Sequence, residues 1–331
     1  MISRSFFLFL FSFFLTFCFC PIAGRIASLI GAVDYPGGRH THDVPTPRLG
    51  GLALACAMGA SFLLWGAEGR LGAFLMLGGS VIVCLGVWDD TKGLTPPFKL
   101  AWQMTATLLA ILGGVRLEGI GILSFPATLL WLLLLTNAYN LIDGLDGLCA
   151  GCGGIGGGTF ALLGLLSGDT AVTAVGLILF GGCLGFLPHN VKQKKLFLGD
   201  TGAQLIGFCL GLLSVRMINE GFASSALLAV AYPLAETVTT ILRRLWRRQS
   251  PLIADRGHFH HRLTDRGLSH RQAVTVLLLP ALFGTIVGIL LPVSPSAAGW
   301  VILLSFAAFL IVLDTEGLRK RRKPHIPPNS K

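Results

Sequence analysis

Long apolar segments recur along the whole chain, and they limit its fold more than any other feature of the sequence. Eleven of them are close to the length that a helix needs to cross a bilayer. They lie at 6–23, 49–65, 71–87, 100–114, 119–136, 148–166, 170–187, from about 202 onwards, 222–242, 273–291 and 297–313. The chain is 53% hydrophobic and only 13% charged, and its mean hydropathy of +0.72 excludes a soluble globular domain. The sequence predicts an all-α polytopic membrane protein with about eleven transmembrane helices.

These segments leave no room for a separate soluble domain of ordinary size. The longest polar segment, 243–271, is too short to form one. We therefore expect a single integral membrane domain over residues 1–331, with 243–271 as a cytoplasmic loop and 317–331 as a basic cytoplasmic tail. The first segment has the Phe-rich core of a signal peptide, but the ten segments that follow favour a retained helix. The eight cysteines all fall in or beside apolar segments, which favours packing roles over disulfides.

The positive charges separate sharply between the two sides that eleven spans would create. Of the 26 Lys and Arg residues, 22 fall in the connections on one side. The exceptions are Arg4, Arg70, Arg116 and Arg216. Lys and Arg are concentrated in cytoplasmic connections, so the side with 22 charges is predicted to face the cytoplasm.

One polar stretch, Asn137–Gly147, lies between two of the apolar segments. It carries Asn137, Asn140, Asp143 and Asp146, and polar groups next to hydrocarbon are costly unless they have a function. An ordinary turn between two helices is the alternative, and the glycines of the stretch suit a turn. Two amides and two carboxylates in eleven residues favour a functional site.

Two further acidic positions lie at the ends of apolar segments. Asp89 and Asp90 end the third segment, where the helix C-terminus is already negative, so a bound cation or a nearby base is expected to offset them. Asp200 begins the eighth segment, three residues after Phe197, at the favourable end of a helix dipole. A plain N-cap would also explain Asp200.

All of these motifs fall on the predicted cytoplasmic side, together with the histidines of 258–261. We therefore expect them to form one site at the cytoplasmic membrane boundary. Carboxylate and amide oxygens suit Mg²⁺, which also takes phosphate oxygens, and histidines and lysines beside it suit phosphate groups. The histidines alone could equally be part of a solvated basic loop. Such a site could join a nucleotide-activated group to a lipid phosphate, a reaction that depends mostly on positioning and charge neutralisation.

At this point the sequence resembles a known family, the polyprenyl-phosphate N-acetylhexosamine-1-phosphate transferases, and especially the branch that uses undecaprenyl phosphate and GlcNAc-1-phosphate. The motifs occur in the family's order and extend over most of the chain. They are Pro45-Thr-Pro-Arg-Leu-Gly-Gly51, Asp89-Asp90, Gly93-Leu-Thr-Pro-Pro-Phe-Lys99, Asn137–Gly147, Phe197-Leu-Gly-Asp-Thr-Gly202 and His258-Phe-His-His261.

The resemblance implies a reaction in which a UDP-N-acetylhexosamine and undecaprenyl phosphate give undecaprenyl-diphospho-N-acetylhexosamine and UMP. It also implies Mg²⁺, with Mn²⁺ as a substitute, and a multi-pass protein of the bacterial inner membrane. The site would face the cytoplasm and begin a cell-envelope polysaccharide such as O-antigen. Nucleic acid is not expected as a partner, and a homodimer is left open.

The resemblance also implies roles for individual residues. Asp200 matches the principal metal ligand, with Asn140 and Asp143 around the metal and diphosphate. Asp89 and Asp90 match an acidic pair near the lipid phosphate, and Asp89 is expected to deprotonate or orient it. The remaining positions contact substrate: Lys99 faces phosphate, Asp146, Asn190 and Phe197 form the uracil pocket, and His258, His260 and His261 contact the diphosphate or sugar.

Three alternatives remain open at this stage. The sequence His-Phe-His-His replaces the three consecutive histidines of the phospho-MurNAc-pentapeptide transferases of the same family, which favours UDP-GlcNAc as the donor. A metal-coupled transporter would instead place charged residues near the middle of its spans and contain pairs of broken helices. A lipid phosphatase could use a similar site with water as the acceptor.

Overall fold

The computed structural model describes residues 2–35, 44–65, 70–191, 196–246, 262–263 and 266–291, and these residues are almost entirely helical. We number the helices α1 to α11. They are α1 (Ile2–Ile30), α2 (Gly50–Trp65), α3 (Arg70–Lys92), α4 (Pro96–Leu112), α5 (Ser124–Ile142), α6 (Leu148–Ser167), α7 (Thr170–Asn190), α8 (Gly199–Asn219), α9 (Ala223–Ala229), α10 (Ala231–Trp246) and α11 (His270–Leu290). A 3₁₀ turn at Gly121–Leu123 precedes α5.

Ten of the eleven predicted apolar segments coincide with these helices, and the eleventh, at 297–313, lies outside the described residues. Within the described part, seven helices are long and apolar enough to cross a membrane, or eight if the bent pair α9–α10 forms one span. The helix α2, with 16 residues, is shorter than these. The protein is therefore a polytopic membrane protein, while the count of eleven spans stays a prediction.

The ninth apolar segment is not one continuous helix, as the sequence suggested. It divides into α9 and α10, which meet at Val230 with a bend of 74°. Pro233 explains the break, because it has no N–H to donate to the carbonyl of Ala229 and its ring crowds that carbonyl. The chain between α1 and α2 also differs from a simple loop, since Val33–Asp34 pairs antiparallel with Thr46–Pro47 as a two-stranded ribbon, β1 and β2.

The helix α8 lies at the centre of the bundle. It is buried on all sides, and α2, α3, α5 and α6 pack around it. A helix that is apolar around its whole circumference is expected in such a position. The first helix packs lengthwise on α7, where the Ser12 hydroxyl donates to the carbonyl of Ile178 at 2.7 Å. Five of the cysteines are buried, while Cys18, Cys56 and Cys84 are exposed.

The arginines that the sequence placed on the less charged side lie far from the acidic motifs. Arg216 pairs with Asp169 at 2.8 Å, where α8 ends and α7 begins, and the backbone carbonyl of Arg116 accepts from Asn219 nearby. Asp200 lies at the opposite end of α8. Arg70 likewise begins α3, whereas the aspartate pair lies near its end. The two sets of charges therefore occupy opposite ends of the helices, as expected if they face opposite sides of a membrane.

Close approach of α3 to α8 requires a glycine at position 86. A Cβ on Gly86 would collide with the backbone nitrogen and Cα of Thr201, in the first turn of α8. Backbone atoms cannot move aside as the end of a flexible side chain can. The absence of a side chain at this position brings the C-terminal end of α3 against the N-terminus of α8.

We expect Gly86→Ala to lower the free energy of unfolding by about 1–3 kcal/mol, since the added methyl group overpacks a helix contact. Unfolding of the purified protein in mixed micelles by a denaturing detergent measures this change. Gly59→Ala in α2 is the matched control, because a Cβ there meets no atom within 4 Å. If both variants are as stable as the unsubstituted protein, the close contact between α3 and α8 is wrong.

Candidate active site

The acidic and amide motifs converge at one end of the bundle, where several helices end or begin. The end of α3 supplies Asp89 and Asp90, the start of α4 supplies Lys99, and the end of α5 supplies Asn140. The first turn of α8 supplies Asp200. The sequence predicted that these segments would share a site, and the structure brings them into contact.

Lys99 lies between two of the carboxylates. Its ammonium group donates to Oδ2 of Asp200 at 2.7 Å and forms an ion pair with Oδ2 of Asp89. The other oxygen of Asp89 accepts from the backbone N–H of Leu94 at 2.6 Å. The side chain of Asp89 is 5% exposed, so without these partners its charge would be costly to bury. Lys99 is the nearby base that the aspartate pair required.

Asp90 binds the N-terminus of α8. Its Oδ1 accepts from the backbone N–H of Asp200 at 2.9 Å, and its Oδ2 accepts from the N–H and hydroxyl of Thr201 at 3.1 and 2.6 Å. The first N–H groups of a helix have no partner within the helix, and the dipole there favours an anion. Asp90 is thus unfavourable for the helix that carries it and favourable for the helix that it contacts. Both oxygens are engaged, which makes it a residue that positions Asp200.

The loop before α8 is held by the chain that precedes α2. The N–H of Phe197 donates to the carbonyl of Pro47 at 2.8 Å, and the N–H of Gly50 donates to the carbonyl of Phe197 at 2.9 Å. Gly199 then has φ of +73°, a conformation that favours glycine, and lets the chain turn into α8. This pairing places the guanidinium of Arg48 4.0 Å from Asp90.

A row of buried amides leads from the bundle to Asp200. Asn137 donates to Oε1 of Gln103 at 2.8 Å, Gln103 donates to Oε1 of Gln204 at 3.0 Å, and Gln204 donates to Oδ2 of Asp200 at 3.3 Å. Each amide therefore points its N–H towards the carboxylate. Successive hydrogen bonds of this kind polarise one another in a medium of low dielectric constant, and the row holds Asp200 in one orientation.

Sequence reasoning did not assign Arg48, Gln103, Gln204 or Thr201 to the site. A signal existed for the two glutamines, because Gln103 lies one turn after Lys99 and Gln204 one turn after Asp200 within apolar helices. Polar side chains inside a membrane helix are a functional-site hypothesis by default. Arg48 belongs to a motif that the sequence analysis had singled out, but nothing local indicates its contact with Asp90.

Asn140 and Asp143 lie where α5 ends. The amide of Asn140 is 3.5 Å from Oδ2 of Asp200, at the limit of a hydrogen bond. Burial, followed by the charges of Asp200 and Asp90, raises the pKa of the Asp143 carboxyl well above its usual value. Asp143 is therefore a group that favours its protonated form until a cation approaches.

The three residues predicted to form the uracil pocket lie at the ends of α5, α7 and the loop before α8. Asn190 accepts from the N–H of Gly147 at 2.5 Å and donates to the carbonyl of Leu196 at 3.0 Å, so it joins the loops on either side. Asp146 and Phe197 are half-buried within those loops. The histidines His258, His260 and His261 lie outside the described residues.

The donor set fits a hard divalent cation. The interactions that the structure shows among the described residues here join the five carboxylates of Asp89, Asp90, Asp143, Asp146 and Asp200 with two cations, Lys99 and Arg48. In the same part of the chain no three His, Cys, Asp or Glu side chains are grouped so that they could hold a metal by themselves. Mg²⁺ fits such a site, since it commonly binds one or two carboxylates and completes its shell with water and substrate phosphates.

Comparison with known proteins places this arrangement in a family. Residues 73–218, which include every acidic residue of the site, match the family described as Glycosyl transferase family 4. The "Probable undecaprenyl-phosphate N-acetylglucosaminyl 1-phosphate transferase" of Bacillus subtilis is 34% identical over 310 residues, covering 88% of this chain and 85% of that protein. The chain belongs to glycosyl transferase family 4.

Other relatives in the family have closely related names. The "Decaprenyl-phosphate N-acetylglucosaminephosphotransferase" of Mycolicibacterium smegmatis is 36% identical over 302 residues, covering 77% of this chain and 74% of that protein. The "Undecaprenyl-phosphate alpha-N-acetylglucosaminyl 1-phosphate transferase" of Salmonella typhi is 28% identical over 320 residues, covering 89% and 86%. The family resemblance that the motifs indicated is confirmed.

We expect Gln204→Leu in this glycosyl transferase to lower the free energy of unfolding by about 1–3 kcal/mol, because the amide of Gln103 and the carboxylate of Asp200 each lose a buried partner. Detergent-induced unfolding measures the loss. Ser80→Ala is the control, since that hydroxyl is exposed and donates only within its own helix; its effect should stay within about 0.5 kcal/mol. Equal effects of the two substitutions would show that the amide row does not support Asp200.

Proposed function

We propose that the protein transfers N-acetylglucosamine-1-phosphate from UDP-N-acetylglucosamine to undecaprenyl phosphate, and releases UMP. The observation that carries this proposal is the cluster of Lys99 with Asp89 and Asp200 at the ends of membrane helices. Such a cluster can receive phosphate groups from the aqueous side and a lipid head group from the bilayer. The names of the relatives support the same reaction, since each describes transfer to a polyprenyl phosphate.

The relatives also support the choice of sugar. The three names above specify N-acetylglucosamine, which agrees with the His-Phe-His-His sequence and favours UDP-N-acetylglucosamine over UDP-MurNAc-pentapeptide. The lipid in those names is undecaprenyl or decaprenyl phosphate, according to the relative. The product would be the first lipid-linked intermediate of a cell-envelope polysaccharide.

The reaction forms one bond and breaks one. An oxygen of the lipid phosphate attacks the phosphorus that carries the sugar, and the bond from that phosphorus to the bridging oxygen of the diphosphate breaks, so UMP leaves with that oxygen. In our proposal Asp89 orients the lipid phosphate and accepts its proton. Lys99, between Asp89 and Asp200, neutralises part of the charge on the phosphates.

Mg²⁺ fits the remaining excess of negative charge. Asp200 would be its principal ligand, because its Oδ2 is engaged by Lys99 and Gln204 while no hydrogen bond to its Oδ1 is seen among the described residues. Asn140 would supply an amide oxygen beside it. The cation would neutralise the diphosphate as charge moves to the leaving UMP. Asp90 and the amide row would keep Asp200 in place as substrates bind.

The nucleotide would bind on the side of the loops. Phe197, half-buried and fixed through its backbone, would stack on the uracil, with Asp146 and Asn190 beside it. The histidines of 258–261 would approach the diphosphate or sugar from the loop 243–271. The 22 basic residues on this side support a site that faces the cytoplasm of a bacterial cell, where UDP-sugars are available.

A metal-coupled transporter is the competing function with one observation in its favour, the broken pair α9–α10. Transporter sites usually lie near the bilayer midplane, at paired breaks. Here Asp89, Asp90 and Asp200 lie at helix ends, and the described residues contain a single broken pair. The positions of the carboxylates therefore favour the transferase.

The decisive assay gives purified protein UDP-N-acetylglucosamine, undecaprenyl phosphate and Mg²⁺, and measures UMP. We expect UMP release that requires the lipid, and a fall of at least about 100-fold for Asp200→Asn, because the variant loses the charge that holds the cation and Lys99. Glu118→Gln, an exposed substitution at the other end of the bundle, is the control and should keep full activity. Release of phosphate without the lipid would indicate a phosphatase, and full activity of Asp200→Asn would exclude it as the metal ligand.

A further inference from the structure

An apolar groove opens between α2 and α3, away from the charged cluster. Its volume is about 260 Å³, and its lining includes Cys56, Gly59 and Phe62 from α2 and Gly79, Ser80 and Cys84 from α3. The hydroxyl of Ser80 donates to the carbonyl of Met76 in its own helix, at 2.7 Å. The groove therefore presents almost no unsatisfied polar group and suits a hydrocarbon ligand.

The groove exists because two consecutive helices do not close on each other. Small residues on facing membrane helices normally permit close packing. Here α2 and α3 both pack on α8 through other faces, and the small residues between them leave open space. At Gly59 this space is large, because a Cβ would meet no atom within 4 Å.

The exposed face of α3 connects the groove to the charged cluster. Trp88 lies one turn after Cys84, on the same side of the helix, and both are exposed. The ring of Trp88 contacts that of Phe98, with centroids 5.3 Å apart, and Phe98 precedes Lys99 in the chain. A continuous apolar surface therefore runs from the groove to the residues that flank the ion pair of Asp89 and Lys99.

We propose that this groove holds the first isoprene units of the lipid acceptor, with Trp88 and Phe98 at its entrance and the lipid phosphate at Lys99. The proposal rests on the proposed function, and it names where the acceptor's chain lies. An acceptor whose phosphate meets Lys99 must direct its chain into the bilayer, and the groove begins beside that point. From residue 84 to residue 75 the groove extends roughly 13 Å along α3, the distance that nine helical residues span.

The direct test uses the unsubstituted protein and a polyprenyl phosphate that carries a photoactivatable diazirine on an isoprene unit near the phosphate. After irradiation, peptide mass spectrometry locates the adduct. We expect adducts at residues 52–62 and 75–88, and we expect excess undecaprenyl phosphate to suppress them. With competitor at about ten times its dissociation constant, labelling should fall about tenfold, since only unoccupied protein reacts.

Two results would overturn the proposal while leaving the transferase intact. Adducts confined to other helices would place the acceptor's chain elsewhere. Adducts in the groove that excess undecaprenyl phosphate does not suppress would show that bulk membrane lipid fills it. If instead the protein transfers no sugar phosphate at all, the proposed function itself fails, so the two failures are distinguishable.

A substitution that fills the groove gives an independent kinetic test. Gly59→Trp has room for its side chain and should raise the KM for undecaprenyl phosphate about tenfold, the loss expected when a binding surface worth about 1.4 kcal/mol is blocked. The KM for UDP-N-acetylglucosamine should not change. Leu162→Trp, on the exposed face of α6, is the control and should change neither value. Unchanged lipid KM in a folded Gly59→Trp protein would contradict the proposal.

Discussion

The structure depends on a carboxylate from one membrane helix that binds the N-terminus of another. Asp90 ends α3, where the helix dipole disfavours it, yet its two oxygens accept three hydrogen bonds from the first turn of α8. Those hydrogen bonds satisfy N–H groups that would otherwise lie unpaired in the interior of the bundle. Because Asp200 is one of the residues whose backbone Asp90 binds, the same contact fixes the position of the central carboxylate of the site. Gly86 makes the contact sterically possible, one turn earlier in α3.

The other polar groups of the site follow from this placement. Burying Asp89 and Asp200 side by side would be costly without a cation, and Lys99 supplies it. The amide row from Asn137 through Gln103 and Gln204 gives Asp200 a further donor from inside the bundle, so its Oδ2 is engaged and its Oδ1 is left for a cation. Phosphoryl transfer needs little covalent chemistry from the protein and depends on fixed charges. A set of carboxylates held by helix ends, one ammonium group and a row of amides supplies them.

The sequence predicts the helices well because an apolar segment of about 20 residues has few alternatives to a membrane helix. It also predicts that Asp89, Asn140 and Asp200 meet, since the separation of basic residues assigns their connections to one side. It does not predict the contacts that position them. Asp90 and Thr201 are more than 100 residues apart, and no local pattern indicates that one binds the other. The bend at Val230 was missed for a similar reason: a proline in an apolar segment is compatible with both a kinked and a broken helix.

The central claim is that Asp90 stabilises the N-terminus of α8 directly. A double-mutant cycle measures that interaction, with Asp90→Asn, Thr201→Val and the double variant compared by their free energies of unfolding in mixed micelles. Our account predicts a coupling energy of about 1–3 kcal/mol, because the two residues share a buried hydrogen bond. Additive effects, within about 0.5 kcal/mol, would contradict it.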